Sequence, residues 1–401
     1  MPIDFLPVPA NGNDYIRESR EAMKEPAYPA ARAVAATVQA HFARHLAAAR
    51  QHGQQGLAPQ PDTQAIEEIV DAAFWASLRR EEGYPPKISL AFLPPEQAGQ
   101  PLKFEQRLPL TPDALTRLAP AVERPGIHLG IWRYGEDLCV WGTTRTIPGL
   151  CFVLEVIQPG LLVIKYRRGQ ESSKFVNIVV LEGDDIKVID EKGTSLPDCP
   201  HLLTMLLSFD SPDSWVDSVN VLVQLAVSMR AHGRGGLLLV VPQGSEAWRE
   251  SIVRPISYSV MPSFSELAEL IRQDVGERSK RLWQESLIDA VEAIAGLTAV
   301  DGATVISDQY ELLAFGAKIA RRKGSAQVEQ VVVTEPIIGA VTATVNPAQL
   351  GGTRHLSAAQ FVYDQRDTIA LVASQDGHFT VFAWSPCEEM VHAHRVETLL
   401  L

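Results

Sequence analysis

Apolar residues recur at four-residue intervals near the start of the chain. Val34, Val38, Phe42 and Leu46 line one face of the stretch Tyr28 to Arg50, which predicts an amphipathic helix. Polar residues with Gly and Pro follow from Gln51 to Asp62 and predict a surface loop. Ile66, Ile69, Val70, Ala73 and Phe74 then mark a second helix from Thr63 to about Arg80. After Gly83-Tyr84-Pro85-Pro86 the period shortens. Ile88 to Phe92, Ile127 to Arg133, Leu138 to Thr143, Cys151 to Gln158, Gly160 to Tyr166, Phe175 to Leu181 and Ile186 to Ile189 read as strands parted by turn residues. This first part, residues 1–205, is expected to be an α+β domain of helices followed by a largely antiparallel sheet, closing near Leu196-Pro197-Asp198-Cys199-Pro200.

Residues 206–401 carry a different pattern. A buried helix is expected from Ser211-Pro212-Asp213 to about His232. The unbroken apolar run Leu237 to Val241 predicts a strand buried on both faces. Helices from Ser263 to Val275 and Ser279 to Gly296 precede strands at Leu297 to Ser307, Leu312 to Ala317 and Gln330 to Thr334. A helix over Gly352 to Asp364 and strands over Thr368 to Ser374 and His378 to Trp384 complete an α/β domain with a mixed sheet flanked by helices.

Composition narrows the function classes. A net charge of −12, with only short basic runs such as Arg321-Arg322-Lys323, argues against a nucleic-acid polymer as partner. Four cysteines without CxxC spacing suit reduced thiols. The opening MPIDFLPVPANGND lacks a basic segment and a long apolar run, and no apolar stretch reaches membrane-spanning length. A cytoplasmic protein off the membrane is therefore expected.

Familiar nucleotide signatures are missing. No phosphate loop of the GxxxxGK[ST] form occurs, and Gly233-Arg234-Gly235-Gly236 links a helix to a strand, the reverse of the dinucleotide-binding order, so it reads as a helix cap and turn. Cys387, His392 and His394 lie in an expected C-terminal tail with spacing unusual for zinc.

Two stretches carry more chemistry. Asp301, read as ending a strand, is followed by the small residues Gly302 and Ala303, which would let a ligand approach the backbone. Its carboxylate can ligate Mg2+ or Mn2+ held by phosphate oxygens, or can simply be a turn aspartate. Gly351-Gly352-Thr353-Arg354-His355 opens a helix whose free N–H groups favour an anion. Thr353 can cap that helix or bond a phosphate, and Arg354 and His355 add donors.

Asp301-Gly302-Ala303, Gly352-Thr353-Arg354-His355 and Val372 to Gly377 together resemble the three signature blocks of the diadenylate cyclase (DAC, DisA-like) catalytic domain over about residues 212–386. The run Ala295 to Ala303 resembles a subgroup with an N-terminal region called DACNV, a proposed sensor, which would account for the first two hundred residues. The resemblance implies that two ATP molecules, held by facing subunits of a homo-oligomer, condense to cyclic di-AMP and two pyrophosphates. It implies metal at Asp301 and Asp376, and ATP at Gly302, Ala303, Gly352, Thr353, Arg354, His355 and Ser374, with Asp301, Arg354 and His355 catalytic. A ligand of the N-terminal region is implied but not named. Two positions depart from the pattern: Leu356 stands where the family has a second Arg, and Gln375-Asp376 where it has two Glu. A charge-assisted phosphate contact is worth about 1.5–3 kcal/mol, so the alternative is a weak or inactive DAC-fold nucleotide sensor.

Overall fold

The computed structural model describes residues 27–167, 175–191, 221–278 and 280–401. The expected boundary motif at Leu196 to Pro200, Cys199 and the start of the Ser211 helix lie outside them. The fold is mixed α/β with two mixed sheets. By contacts the chain divides into two compact units, Met1–Val188 and Ile189–Leu401.

In the first unit, α1 (Pro29–Gln51) and α2 (Thr63–Ser77) pack together. Val34, Val38, Phe42 and Leu46 are all buried along α1, the stripe that their spacing predicts. Asp62 caps α2 by accepting from the Ala65 N–H at 2.7 Å. The sheet comprises β1 (Ile88–Phe92), β2 (Leu102–Pro109), β3 (His128–Tyr134), β4 (Asp137–Thr144), β5 (Phe152–Gln158), β6 (Leu161–Arg167), β7 (Phe175–Glu182) and β8 (Asp185–Val188), with α3 (Pro112–Val122) between β2 and β3. Its order is β2-β4-β3-β1-β5-β6-β7-β8. Only the β1–β3 pair is parallel, and the α3 crossover makes it so. Trp141 is sheet packing: its indole N–H donates to Leu93 O at 2.8 Å. Gly130 leaves room for that ring, since a Cβ there would stand 2.0 Å from it.

The second unit runs α4 (Val221–Ala231), β9 (Gly236–Val241), β10 (Tyr258–Phe264), α5 (Glu266–Arg272), α6 (Val275–Arg278), α7 (Arg281–Leu297), β11 (Ala303–Ser307), β12 (Leu312–Ala317), β13 (Val331–Thr334), β14 (Ala343–Val345), α8 (Thr353–Asp364), β15 (Ile369–Ala373), β16 (Phe379–Ser385) and β17 (Met390–Arg395). The sheet order is β10-β12-β11-β9-β15-β16-β17-β13-β14, with β9–β11 and β13–β17 parallel. β9 is buried on both faces, as an all-apolar run requires. Leu238 and Val240 join the core under α4 and α7, while Leu237, Leu239 and Val241 join the core under α8.

Three expectations fail here. Leu297 to Val300 is not strand: α7 runs through Leu297, and β11 begins only at Ala303. Thr298 turns the chain, its hydroxyl donating to Ala295 O at 2.6 Å, so the apolar run is a helix end and a tight turn. Ser263 and Phe264 finish strand β10 rather than begin a helix. The expected C-terminal tail is β17, hydrogen-bonded between β16 and β13. Among the described residues no helix is long and apolar enough to cross a membrane.

Candidate functional site

Register gathers the candidate residues. β9 and β11 are parallel, and β12 and β15 run against them, with Ala303 opposite Ala317 and Gly236 opposite Ala373. The segments before β9 and β11 and those after β12 and β15 therefore emerge at one end of the sheet. Arg234-Gly235, Asp301-Gly302, Lys318 and Ser374 to Gly377 stand there together.

Asp301 precedes its strand rather than ending one. Its carboxylate is 92% exposed and accepts from the Lys318 ammonium, itself 52% exposed. The Lys318 hydrogen bond and charge hold the Asp301 carboxyl below the usual range, with a smaller pull from Arg354. Gly302 is glycine for a backbone reason: at φ +117° a Cβ would meet the Gly316 carbonyl carbon at 2.5 Å. Gly316, at φ +61°, marks the register shift of β12 against β11, a bulge that brings the two loops into contact. Ala303 is a fully buried core residue. β12 thus packs against the Cβ side of Gly302, whose backbone stays partly exposed.

α8 starts from the N-cap Gly352, and no side chain caps it, so Thr353 is an exposed first-turn residue and not the cap. Arg354 reaches the β9 entry, where a Cβ on Gly235 would lie 2.8 Å from Arg354 Nη1 and 3.3 Å from Ala373 O and Gln375 Cγ. Gln375 donates to Arg234 O at 3.3 Å. The glycine stretch is the helix end and turn that its sequence predicts, and the Arg354 guanidinium lies beside it at Gly235. His355 is 4% exposed and tucked beneath Gly351, whose Cβ would stand 2.6 Å from Nδ1. Burial is the main cause that lowers its pKa, with Asp376 acting in the opposite sense.

Ser374 donates to Asp376 Oδ1, and that bond leads the causes that lower the Asp376 pKa. Arg230 holds this turn from α4, donating to Gly377 O at 3.1 Å and to Leu400 O at 3.0 Å. No three-residue grouping of potential metal ligands among the described residues includes Asp301 or Asp376. The Cys387, His392 and His394 grouping does not assemble: both imidazoles are buried on β17 and Cys387 is exposed.

Lys318 and Arg230 were missed by sequence reasoning. Lys318 had a usable signal, because the β11–β12 hairpin returns it beside Gly302. Arg230 had none, since its partners lie 147 and 170 residues away.

In the first unit, Leu57, Gln97, Ala98, Thr146, Ile147 and Arg167 line a cavity of about 490 Å³. Residues 55–145, which contribute part of its lining, match the family model described as the probable sensor domain DACNV. No curated protein matches the chain. Similar solved structures include a hypothetical membrane-spanning protein from Bacillus cereus, at 14% identity over 48% of this chain and 70% of that one, with a TM-score of 0.26. A double mutant of DacA from Staphylococcus aureus is also 14% identical, over 43% and 83% of the chains, with a TM-score of 0.22. Those superpositions are too loose to bear on fold or function.

Proposed function

We propose that the second unit is a nucleotide site of diadenylate cyclase type and that the first unit regulates it. The observation that carries the reading is the convergence at one sheet end of Asp301, Arg354 and the Ser374 to Gly377 turn, the three blocks that carry the resemblance. The DACNV match at residues 55–145 supports the regulatory part.

In this reading Arg354 and the α8 N-terminus would bind the triphosphate, and Asp301 and Asp376 would hold Mg2+ or Mn2+. The bound metal would neutralise charge that develops on the phosphates. Asp301 would orient the attacking 3′-hydroxyl of the ATP on a facing subunit toward the α-phosphate, with pyrophosphate leaving. Such chemistry asks for positioning and charge, both of which this end of the sheet supplies. His355, buried beneath Gly351 in the same motif, would complete the site as its third expected catalytic residue. The second reading, a nucleotide sensor without turnover, is favoured by Leu356, which leaves the helix start one cation poorer than the family pattern.

Incubation with ATP and Mn2+ or Mg2+, read by mass spectrometry, tests the assignment. Cyclic di-AMP should form in the wild type and vanish in Asp301→Asn. Nucleotide binding without product selects the sensor reading, and a gain of product in Leu356→Arg would trace the weakness to the missing cation.

A further inference from the structure

The ion pair between Lys318 and Asp301 is solvent-exposed on both sides. Exposed pairs are weak because water solvates each partner well, so either partner is free to exchange. Lys318 extends from the end of β12, and Arg354 lies close enough to Asp301 for its charge to be felt there. Two cations thus flank one carboxylate, and Arg354 is the less exposed of them, braced against the Gly235 turn. The ammonium is a compact charge on a flexible stem, suited to moving between partners.

We propose that Lys318 is a phosphate-binding residue of this site, parked on Asp301 until a metal-bearing polyphosphate exchanges partners with it. The proposal rests on the nucleotide reading above. With such a ligand at Asp301, Lys318 would give up the carboxylate and turn onto a phosphate oxygen. The opposite charges stay paired before and after, so the exchange leaves no bare charge. Lys318 thereby supplies positive charge that α8 itself lacks beyond Arg354.

The test is calorimetric titration of the full chain with Mn2+ and an ATP analogue whose α,β-bridging oxygen is a methylene, beside adenosine alone. Lys318→Met should weaken the analogue about tenfold, the loss of one charge-assisted contact, and leave adenosine unchanged. Lys318→Arg should keep most of the affinity. Equal analogue affinity in Lys318→Met and wild type overturns the proposal, as does a parallel loss of analogue and adenosine. A wild type that binds neither ligand overturns the nucleotide reading itself, whereas one that binds both with Lys318→Met unaffected removes only the role of Lys318.

Discussion

Two buried imidazoles tie the stability of this protein to pH. His394 is fully buried on β17, and its Nδ1 lies 2.7 Å from Thr334 Oγ1. Burial, then the neighbouring His392, lowers its pKa from 6.5 to about 3. In the first unit, burial lowers His128 from 6.5 to about 4, and Ser89 Oγ lies 2.7 Å from its Nδ1. The sign follows from proton uptake. Between the folded and unfolded pKa values the unfolded chain binds a proton that the folded chain refuses, so stability falls as pH drops below 6.5. Each site loses about 1.4 kcal/mol per pH unit in that window, hence about 2 kcal/mol by pH 5. Urea unfolding at pH 7 and pH 5, followed by tryptophan fluorescence, should show this loss. In His394→Leu the loss in the second unit should shrink by that one site's share, while the first unit keeps its own.

At the scale of elements, the β11–β12 hairpin carries Asp301 and Lys318 at its two ends, and Gly302 and Gly316 face each other between them. Gly302→Ala places a methyl 2.5 Å from the Gly316 carbonyl carbon at a φ of +117°, so backbone must move on one strand or the other. The expected cost is about 2 kcal/mol or more, from positive-φ strain and overpacking together. Because Asp301 adjoins Gly302, nucleotide binding should weaken along with thermal stability. Gly233→Ala, also at positive φ but with open space around it, should cost only the backbone strain, about 1–2 kcal/mol, and spare binding. Differential scanning calorimetry with a nucleotide titration separates the two.

This hairpin also shows what could be read from the sequence. β9 and β15 were legible because buried central strands are unbroken apolar runs, and α1 and α8 because their buried faces keep helical spacing. β2 escaped because Leu-Lys-Phe-Glu-Gln-Arg-Leu-Pro lies mostly exposed at a sheet edge, where nothing selects apolar residues. β10 escaped likewise, an exposed edge strand interrupted by Pro262. Asp301, Arg354 and Ser374 were legible as residue types in motifs. Their meeting at one end depends on strand register, and the place of Arg354 beside Gly235 cannot be seen without it.

For the whole molecule, the proposed reaction sets a requirement that no arrangement within one site can meet. Cyclic di-AMP joins two nucleotides by two phosphodiester bonds, while each chain offers one Asp301–Arg354 site. Two chains must therefore present their sites face to face, a two-fold arrangement in which each supplies one nucleotide to the other. If that pairing is weak, product formed per milligram of protein should rise with protein concentration and level off only when the pairs are saturated. Mixing sharpens the point. Equal amounts of wild type and Asp301→Asn, equilibrated before assay, leave about a quarter of the pairs with two intact sites if pairing is random. Because closing the ring needs both sites, activity should fall to about that quarter of an all-wild-type sample at the same total concentration, rather than to half. A fall to half, together with specific activity independent of dilution, would mean that each chain works alone and would remove the facing-subunit mechanism.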